Sequence, residues 1–415
     1  MSGGARSQKA RFGSPVRKVV GLPEGRFVFH CAAKCVSVSA RSTGISEGYM
    51  LRTLLATAAA VLASCAMPQR AGGLQTSEHW VSVASTAPSM KGESAQLYMR
   101  EAATGGGGRL PVVVFIHGAG TPAEVSFDSR MDDYSWMRQV ARAGFDVFSV
   151  SLTGYGRSTR PVPMADPCNI AKAQQSGYVH SPCGPTSRTP LTTMSSDWND
   201  IGAVVDYVRR LRGVDRVSLV GWSQGGPRIT GYAALQPAKV DRIVVLAPAY
   251  GRDGMAEEPN PLPAMNDGTM SVQSRKDFIA NWDRQVGCPG QYDAFAASAL
   301  FDEMLESDPV GAKWGTGVRR APMVPTWGFN KAAVAKVKTP YLMITGEHDK
   351  QVPPQRVHEL FEDLGSDNKV LIDLGCSSHN AMWEKNRKLL FDATVQWLRD
   401  GRLNGLSSGI VRMGE

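Results

Sequence analysis

The sequence predicts an α/β fold, with a mostly parallel central sheet covered by helices on both faces and an insertion late in the sheet. Short apolar runs alternate with helical segments over residues 110–400, which is the pattern of parallel strands buried on both faces. Residues 251–338 interrupt this alternation with Pro, Met and Trp and without a clear strand. The chain of 415 residues is long enough for one large domain with such an insertion.

The composition is that of an ordinary globular protein, with 42% apolar and 20% charged residues. The net charge is +8, but residues 1–65 hold nine Lys and Arg against two acidic residues. The rest of the chain is therefore nearly neutral. A nearly neutral body gives no electrostatic argument for binding nucleic acid.

Residues 1–49 are rich in Arg, Ser and Gly and lack an apolar period, so we expect them to be unfolded or not part of the natural product. Translation is predicted to begin at Met50, where a short basic segment precedes an apolar run too short to span a bilayer. This pattern predicts a signal peptide. Its ending, L-A-S-C, resembles the bacterial lipobox and predicts a lipid on Cys65. An ordinary signal peptide cut near Ala66 and an organelle transit peptide stay open as alternatives.

Four cysteines follow Cys65, and an even number suits two disulfides in an exported protein. Cys168 and Cys183 share one segment rich in Pro, Ser and Gly, so we expect them to pair, which leaves Cys288 to pair with Cys376. The alternative for each is a small buried hydrophobic side chain. No Cys or His spacing suggests a metal site. The predicted location is the periplasm, the outside of the cell, or a membrane to which only a lipid on Cys65 attaches the protein.

The elements of the fold follow one another along the chain. Residues 79–104 suggest an antiparallel pair that ends in a glycine turn at 105–108. The predicted buried strands are residues 110–116, 146–150, the start of 215–236, 241–247, 341–345 and, as the last strand, 369–374. The predicted helices lie at about 131–143, 197–211, 354–364 and 381–399, with one more inside 215–236. We expect residues 159–192 to form an irregular segment near the opening of the expected functional site.

Residues 215–236 are the stretch around which the chain is organised. An apolar strand ends at Gly221-Trp222-Ser223-Gln224-Gly225 and turns at once into a helix, which is the G-x-S-x-G pattern of a nucleophile elbow. Both glycines are needed because a side chain at either would collide with the neighbouring strand and helix. The turn exposes the hydroxyl of Ser223, and the N–H of Gln224 points to the place where an oxyanion would form.

The strand at 110–116 ends in His117-Gly118-Ala119-Gly120. In this setting the H-G-x-G segment resembles the loop that supplies a second oxyanion donor, which would here be the N–H of Ala119. We expect His117 to pack under the loop as a structural residue.

Asp349 and His379 each follow the C-terminal end of a predicted strand, as Ser223 does. In a parallel sheet those ends lie on one edge, so the three side chains can meet there. The order Ser, Asp, His resembles that of the α/β-hydrolase fold family, and the resemblance covers about 110–400. It implies that Ser223 is the nucleophile, that His379 is its general base and that Asp349 orients the imidazole. A serine at the elbow argues against the family's dehalogenases and epoxide hydrolases, which carry an aspartate there.

Three other residues compete for these roles. Glu347 and His348 directly precede Asp349, but the family places its acid where Asp349 stands. His358 falls on a predicted surface helix, where we expect a solvated side chain.

We therefore expect an exported serine hydrolase that cleaves a carboxylic ester of a small-molecule acyl substrate through an acyl-enzyme, without a metal or an organic cofactor. Two alternatives stay open: the same triad acting on a lactone, an amide or a C–C bond beside a carbonyl, and a non-catalytic lipoprotein binding module on a hydrolase fold. The expected domains are an N-terminal extension and signal peptide at 1–65, a core at 66–250 and 339–415, and a cap at 251–338. Neither the substrate nor the oligomeric state follows from the sequence.

Overall fold

The structure is a computed structural model that describes residues 73–105 and 110–415. The predicted signal peptide, the start at Met50 and the lipidated Cys65 lie outside these residues. None of the helices in the described ranges has the length and apolar character that crossing a bilayer requires.

Within the described ranges, eleven strands form two sheets. The strands are β1 (Leu74–Ala84), β2 (Ser94–Thr104), β3 (Val112–Ile116), β4 (Asp146–Val150), β5 (Val217–Trp222), β6 (Val240–Leu246), β7 (Met270–Ser274), β8 (Val318–Pro322), β9 (Tyr341–Gly346), β10 (Lys369–Leu374) and β11 (Gly409–Met413). The larger sheet has the order β1-β2-β4-β3-β5-β6-β9-β10-β11. Its first pairs, β1 with β2 and β2 with β4, are antiparallel, and all the following pairs are parallel. The parallel strands therefore end on one shared edge.

Nine α-helices connect these strands in the described part of the chain. They are α1 (Ala123–Ser126), α2 (Trp136–Arg142), α3 (Met194–Arg212), α4 (Gly225–Leu235), α5 (Arg275–Asp283), α6 (Ala294–Ser307), α7 (Lys331–Val334), α8 (Pro354–Asp363) and α9 (Arg387–Asp400). Residues 159–192 contain three short 3-10 turns and no α-helix or strand, which agrees with the irregular segment expected there.

Strand β3 shows how the sequence specifies a sheet covered on both faces. Val113 and Phe115 pack into one apolar cluster with side chains of α2 and α9. Val112, Val114 and Ile116 pack into a second cluster with side chains of α3, α4 and α8. Because successive side chains of a strand point to opposite faces, a strand covered on both faces needs an apolar residue at every position. All five residues of β3 are buried.

Residues 251–338, in which we expected no clear strand, contain the antiparallel pair β7 and β8 as well as three of the helices. The two strands are short, far apart in the sequence and interrupted by polar residues such as Gln273 and Arg319, so they produce neither a hairpin signal nor an apolar run. Phe278, Trp282 and Phe301 of this segment pack into the same apolar cluster as side chains of β5.

The prediction that residues 369–374 form the last strand is wrong, because β11 pairs with β10 in parallel at the edge of the sheet. An edge strand has one neighbour and is not buried on both faces. Ile410 of β11 is half exposed, so the segment lacks the continuous apolar pattern that marked the other strands.

Two predicted helices begin later than expected. The helix expected at 131–143 begins after Ser135, whose side chain accepts a hydrogen bond from the N–H of Arg138 and so caps the helix. The helix expected at 381–399 is divided into a 3-10 turn at Ala381–Trp383 and helix α9.

Two disulfides join Cys168 to Cys183 and Cys288 to Cys376, with Cα–Cα distances of 5.4 and 5.7 Å. These are the two pairs expected from the sequence. The second disulfide connects residues 251–338 to the loop between β10 and His379.

Candidate active site

Ser223 lies in the sharp turn between β5 and α4, with a φ of +55°. A left-handed backbone at a residue other than glycine costs on the order of 1–3 kcal/mol and persists only where the surroundings enforce it. Here the N–H of Ser223 donates to the carbonyl of Leu246 at 2.8 Å, and its carbonyl accepts from the N–H groups of Gly226 and Ala249. Ser223 is only partly buried.

Three glycines allow the backbone to close around this serine. A Cβ added to Gly221 would lie 2.8 Å from the carbonyl carbon of Gly225, and one added to Gly225 would overlap the carbonyl oxygen of Ile116. These are the collisions with helix and strand that the G-x-S-x-G pattern predicted. A Cβ added to Gly118 would lie 2.9 Å from the Cβ of Ser223, so the loop after β3 lies directly beside the serine.

Asp349 and His379 form a hydrogen-bonded pair at the same edge of the sheet. His379 Nδ1 lies 2.8 Å from Asp349 Oδ2, and both side chains are buried. The other carboxylate oxygen, Oδ1, accepts the N–H groups of Gln351 and Val352, each at 2.8 Å. Because a carboxylate accepts the hydrogen bond, Nδ1 carries the ring proton and Nε2 keeps its lone pair for a proton from elsewhere.

His379 is brought towards Ser223 through the tryptophan that precedes the serine. The indole N–H of Trp222 donates to the carbonyl of His379 at 2.8 Å, and the two rings lie 5.6 Å apart. Among the described residues, no hydrogen bond links Ser223 Oγ to His379. Such bonds are often long in unliganded sites and tighten when substrate binds.

The two backbone donors expected to hold an oxyanion flank Ser223. In the described part of the chain, the N–H groups of Ala119 and Gln224 donate to no protein acceptor. Gln224 directly precedes α4, so its N–H is one of the groups that a helix leaves unsatisfied at its N-terminus. Both donors are available to a ligand.

His117 lies under the loop, as the sequence predicted. Its Nδ1 lies 2.7 Å from the carbonyl of Gly118, and its Nε2 accepts the N–H of Leu152 at 3.1 Å. The side chain is fully buried, and burial followed by the nearby charge of Arg228 holds its pKa well below the ordinary value for histidine. It is therefore a neutral structural residue.

Arg228 fixes the same loop, and the sequence analysis did not identify it. Its Nη1 donates to the carbonyls of His117 and Gly118, each at 3.0 Å, and its Nε donates to Asp197. Arg228 is the sole charged residue of α4, and a lone arginine in an apolar helix was the signal available in the sequence.

Glu384 is a second residue that the sequence analysis did not identify. Its carboxylate accepts the N–H of Ser378 at 2.6 Å and the indole N–H of Trp282 at 2.6 Å, and it also binds Gln291. Burial raises its pKa. Since Ser378 precedes His379, Glu384 holds the loop that carries the histidine, but no motif marks a glutamate in this role.

The three residues that the sequence analysis weighed against Asp349 and His379 have other contacts. Glu347 binds Arg412 and the N–H of Cys376. His348 packs against the backbone of Gly287. His358, expected to be solvated, is partly exposed but lies 2.8 Å from a carboxylate oxygen of Asp373.

The sequence and the fold are similar to those of proteins already described. Residues 111–386 match the family model for the alpha/beta hydrolase fold. The human serine hydrolase BPHL is 26% identical over 184 residues, which are 43% of this chain and 52% of that protein. The chain thus spans about half the length of this curated relative. The crystal structure of the carboxylesterase CesB from Bacillus subtilis has a TM-score of 0.50 at 13% identity and covers 84% of this chain and 98% of its own. At 13% identity, the similarity to this carboxylesterase shows a shared fold but not a shared activity.

Proposed function

The chain belongs to the alpha/beta hydrolase fold family, and we propose that it is a serine hydrolase that cleaves a carboxylic ester through an acyl-enzyme. The observation that carries this proposal is the position of Ser223, which is held in a left-handed turn beside two free backbone donors and near the pair formed by His379 and Asp349. A binding module would have no need to maintain a strained serine in this place.

In the proposed reaction, His379 Nε2 takes the proton of Ser223 Oγ as this oxygen attacks the carbonyl carbon of the ester. The carboxylate of Asp349 stabilises the resulting imidazolium and keeps the ring in the useful tautomer. The proton then passes from Nε2 to the oxygen of the departing alcohol, which leaves the acyl group on Ser223. Water, deprotonated by His379, releases the acid and restores the serine.

The N–H groups of Ala119 and Gln224 would bind the negative oxygen of the two tetrahedral intermediates. Losing one such donor typically raises the barrier by roughly 3–4 kcal/mol. Because these donors, a serine and a histidine suffice for the chemistry, the proposed reaction needs neither a metal nor an organic cofactor.

Hydrolysis of a short and a long p-nitrophenyl ester by the full chain tests the proposal. We expect activity that is lost in Ser223→Ala and kept in Ser195→Ala, which removes a partly exposed hydroxyl on α3. The chain-length preference would report the depth of the acyl pocket.

A serine-directed fluorophosphonate separates the remaining outcomes. Labelling of Ser223 without ester hydrolysis would redirect the proposal to other acyl bonds. The absence of both labelling and hydrolysis would refute the proposal that the protein is a serine hydrolase.

We propose further that the protein is exported, with translation from Met50 and a lipid on Cys65. Two disulfides support export because such bonds persist in oxidising compartments. Mass spectrometry of the exported protein tests the anchor: an unmodified N-terminus beyond Cys65 would exclude it.

We also infer that residues 251–338 form a cap beside the catalytic residues. The Cys288–Cys376 disulfide and the hydrogen bond from Trp282 to Glu384 support this, since both reach the loop that carries His379. A long-chain fluorophosphonate on Ser223 should slow amide hydrogen exchange in residues 251–338, and unchanged exchange there would contradict the inference.

A further inference from the structure

Arg319 of β8 extends its side chain to the loop that follows β3. Gly120 of this loop has a φ of +88°, and a Cβ added to it would overlap the guanidinium of Arg319. The guanidinium therefore lies against the backbone of Gly120, one residue past the proposed oxyanion donor Ala119. A cationic side chain from residues 251–338 is thus placed beside the proposed catalytic centre.

This cation lacks a counter-charge within residues 73–105 and 110–415. The Nε of Arg319 donates to Gln273 Oε1 at 2.8 Å, and neither Nη nitrogen has a partner among the described residues. The neighbouring arginine is different: Arg320 donates to both carboxylate oxygens of Asp308, at 2.8 and 2.6 Å. The same strand therefore carries one paired and one unpaired arginine.

Keeping an unpaired guanidinium in this position costs free energy. Burial lowers the pKa of Arg319 to about 10, and the neighbour that raises it is Tyr155, not a carboxylate. The side chain is still protonated at neutral pH. The side chain is only partly buried, yet neither Nη nitrogen has a partner among the described residues. Free guanidinium donors beside a catalytic centre are explained by an anion that binds there.

The short separation between Gly118 and Gly120 indicates that the anion is part of the substrate. Gly118 lies against Ser223, and Gly120 lies against Arg319. Consecutive Cα atoms are about 3.8 Å apart, so the Cα atoms of Gly118 and Gly120 are at most about 7–8 Å apart. A molecule bound along this loop would therefore need only a few bonds between a carbonyl carbon at the serine and an acidic group at the guanidinium.

We propose that Arg319 binds a carboxylate of the substrate, and that the substrates are esters whose acyl part carries a second, free carboxylate, such as half-esters of short dicarboxylic acids. The guanidinium offers both Nη groups as parallel donors, which matches the geometry of a carboxylate. Gln273 orients it through Nε. The cleavage of the ester bond in this inference rests on the proposed serine hydrolase function. The recognition of the free carboxylate rests on Arg319.

Binding to a catalytically inactive variant tests the inference without relying on turnover. Ser223→Ala should bind monomethyl glutarate more tightly than methyl valerate in an NMR titration, because only the former carries a carboxylate. Adding Arg319→Gln should weaken binding of monomethyl glutarate by at least about 30-fold. Equal binding of the two esters, or equal binding with and without Arg319→Gln, would overturn the inference.

Arg284→Gln is the matched control, because it removes a charge from an exposed side chain of the same segment. Its effect on binding should be less than twofold. If both arginine substitutions had an equal effect, the preference for monomethyl glutarate would come from the overall charge of the protein. This outcome would refute a specific carboxylate site at Arg319.

Hydrolysis adds a second readout. The ratio of kcat/KM for p-nitrophenyl hemiglutarate to that for p-nitrophenyl valerate should fall at least tenfold in Arg319→Gln. A variant in which both values fall equally would give Arg319 a structural role only.

Gln273→Glu keeps the guanidinium and supplies it with a carboxylate partner, so this variant does not depend on the fold tolerating the loss of Arg319. It should show the same loss of preference for the hemiglutarate and an unfolding temperature at least equal to that of the parent protein. A preserved preference would contradict the inference. Binding of monomethyl glutarate through Arg319 without hydrolysis of any ester would support the anion site and refute the proposed ester hydrolysis.

Discussion

Arg228 and Asp197 form an ion pair that solvent does not reach, with 2.7 Å between Nε and Oδ2 and both side chains fully buried. The same guanidinium holds the carbonyls of His117 and Gly118. The ion pair thus connects α3 and α4 to the loop that carries the proposed donor Ala119.

Asp197→Asn should destabilise the protein by about 3–5 kcal/mol, because it leaves the charge of Arg228 buried without a partner. Urea unfolding measures this loss. Asp206→Asn is the control: it removes a partly exposed partner of Arg209 and should cost less than about 1 kcal/mol. Equal losses in the two variants would contradict the importance of the buried pair.

Glu384→Gln should lower kcat more than it changes KM, because it loosens the loop of His379 without altering a group that contacts substrate. We expect about a tenfold loss of kcat, in line with residues that orient a reactive group. Glu303→Gln provides a comparison, since Glu303 is buried and binds Ser129 on another part of the fold. A loss of kcat in both variants would indicate general destabilisation.

Gly225→Ala should abolish activity and destabilise the protein by about 1–3 kcal/mol, because the new methyl group meets the carbonyl of Ile116. Gly202→Ala on α3 is the matched substitution. Its methyl group would make only an ordinary contact with Tyr232 at 3.5 Å and should stabilise the helix by up to about 1 kcal/mol. An active, stable Gly225→Ala would show that the elbow tolerates a side chain there.

The titration of Asp200 should lower the free energy of unfolding as pH rises. Burial raises its pKa from 3.8 to about 7, although Thr153 donates a backbone N–H to it. The folded protein thus holds a proton that the unfolded chain releases between these two pH values, so folding loses free energy as pH rises through that window. Asp200→Asn removes the titration, and its unfolding temperature should exceed that of the parent protein increasingly from pH 4 to pH 7. A constant difference would contradict this.

Reduction of the disulfides should lower the unfolding temperature. The bridges join residues 15 and 88 positions apart, for which loop entropy gives about 3 and about 4–5 kcal/mol. Cys288→Ser with Cys376→Ser should also lower kcat, because the second bridge adjoins the loop of His379. Cys168→Ser with Cys183→Ser is the control for stability alone. Unchanged unfolding with thiol reductant would contradict the role of the bridges.

The buried parallel strands were predictable because each residue of such a strand faces an apolar layer, so the pattern is continuous and local. The elbow was predictable because its glycines stand at fixed positions beside Ser223 in a short motif, although Gly225 is required by contact with the distant Ile116. Strand β11 was not predictable, because a half-exposed edge strand carries only a weak pattern.

The supporting residues of the site depend on contacts far apart in the sequence. Glu384 holds Ser378 but also Trp282, and Arg319 meets Gly120 across about half of the chain. No local pattern marks a glutamate or an arginine for such a role. Their contacts with residues distant in the sequence, which only the folded structure reveals, are what distinguish them.

The position of β11 bears on biosynthesis. The N–H of Gly375 donates to the carbonyl of Met413 at 2.8 Å, and Gly375 begins the loop that leads to His379. A nascent chain that has emerged only as far as α9 already contains the proposed nucleophile, base and acid but lacks this support. The loop of His379 is therefore completed after every other strand of the sheet has left the ribosome, so we expect competence for hydrolysis only once β11 has been synthesised.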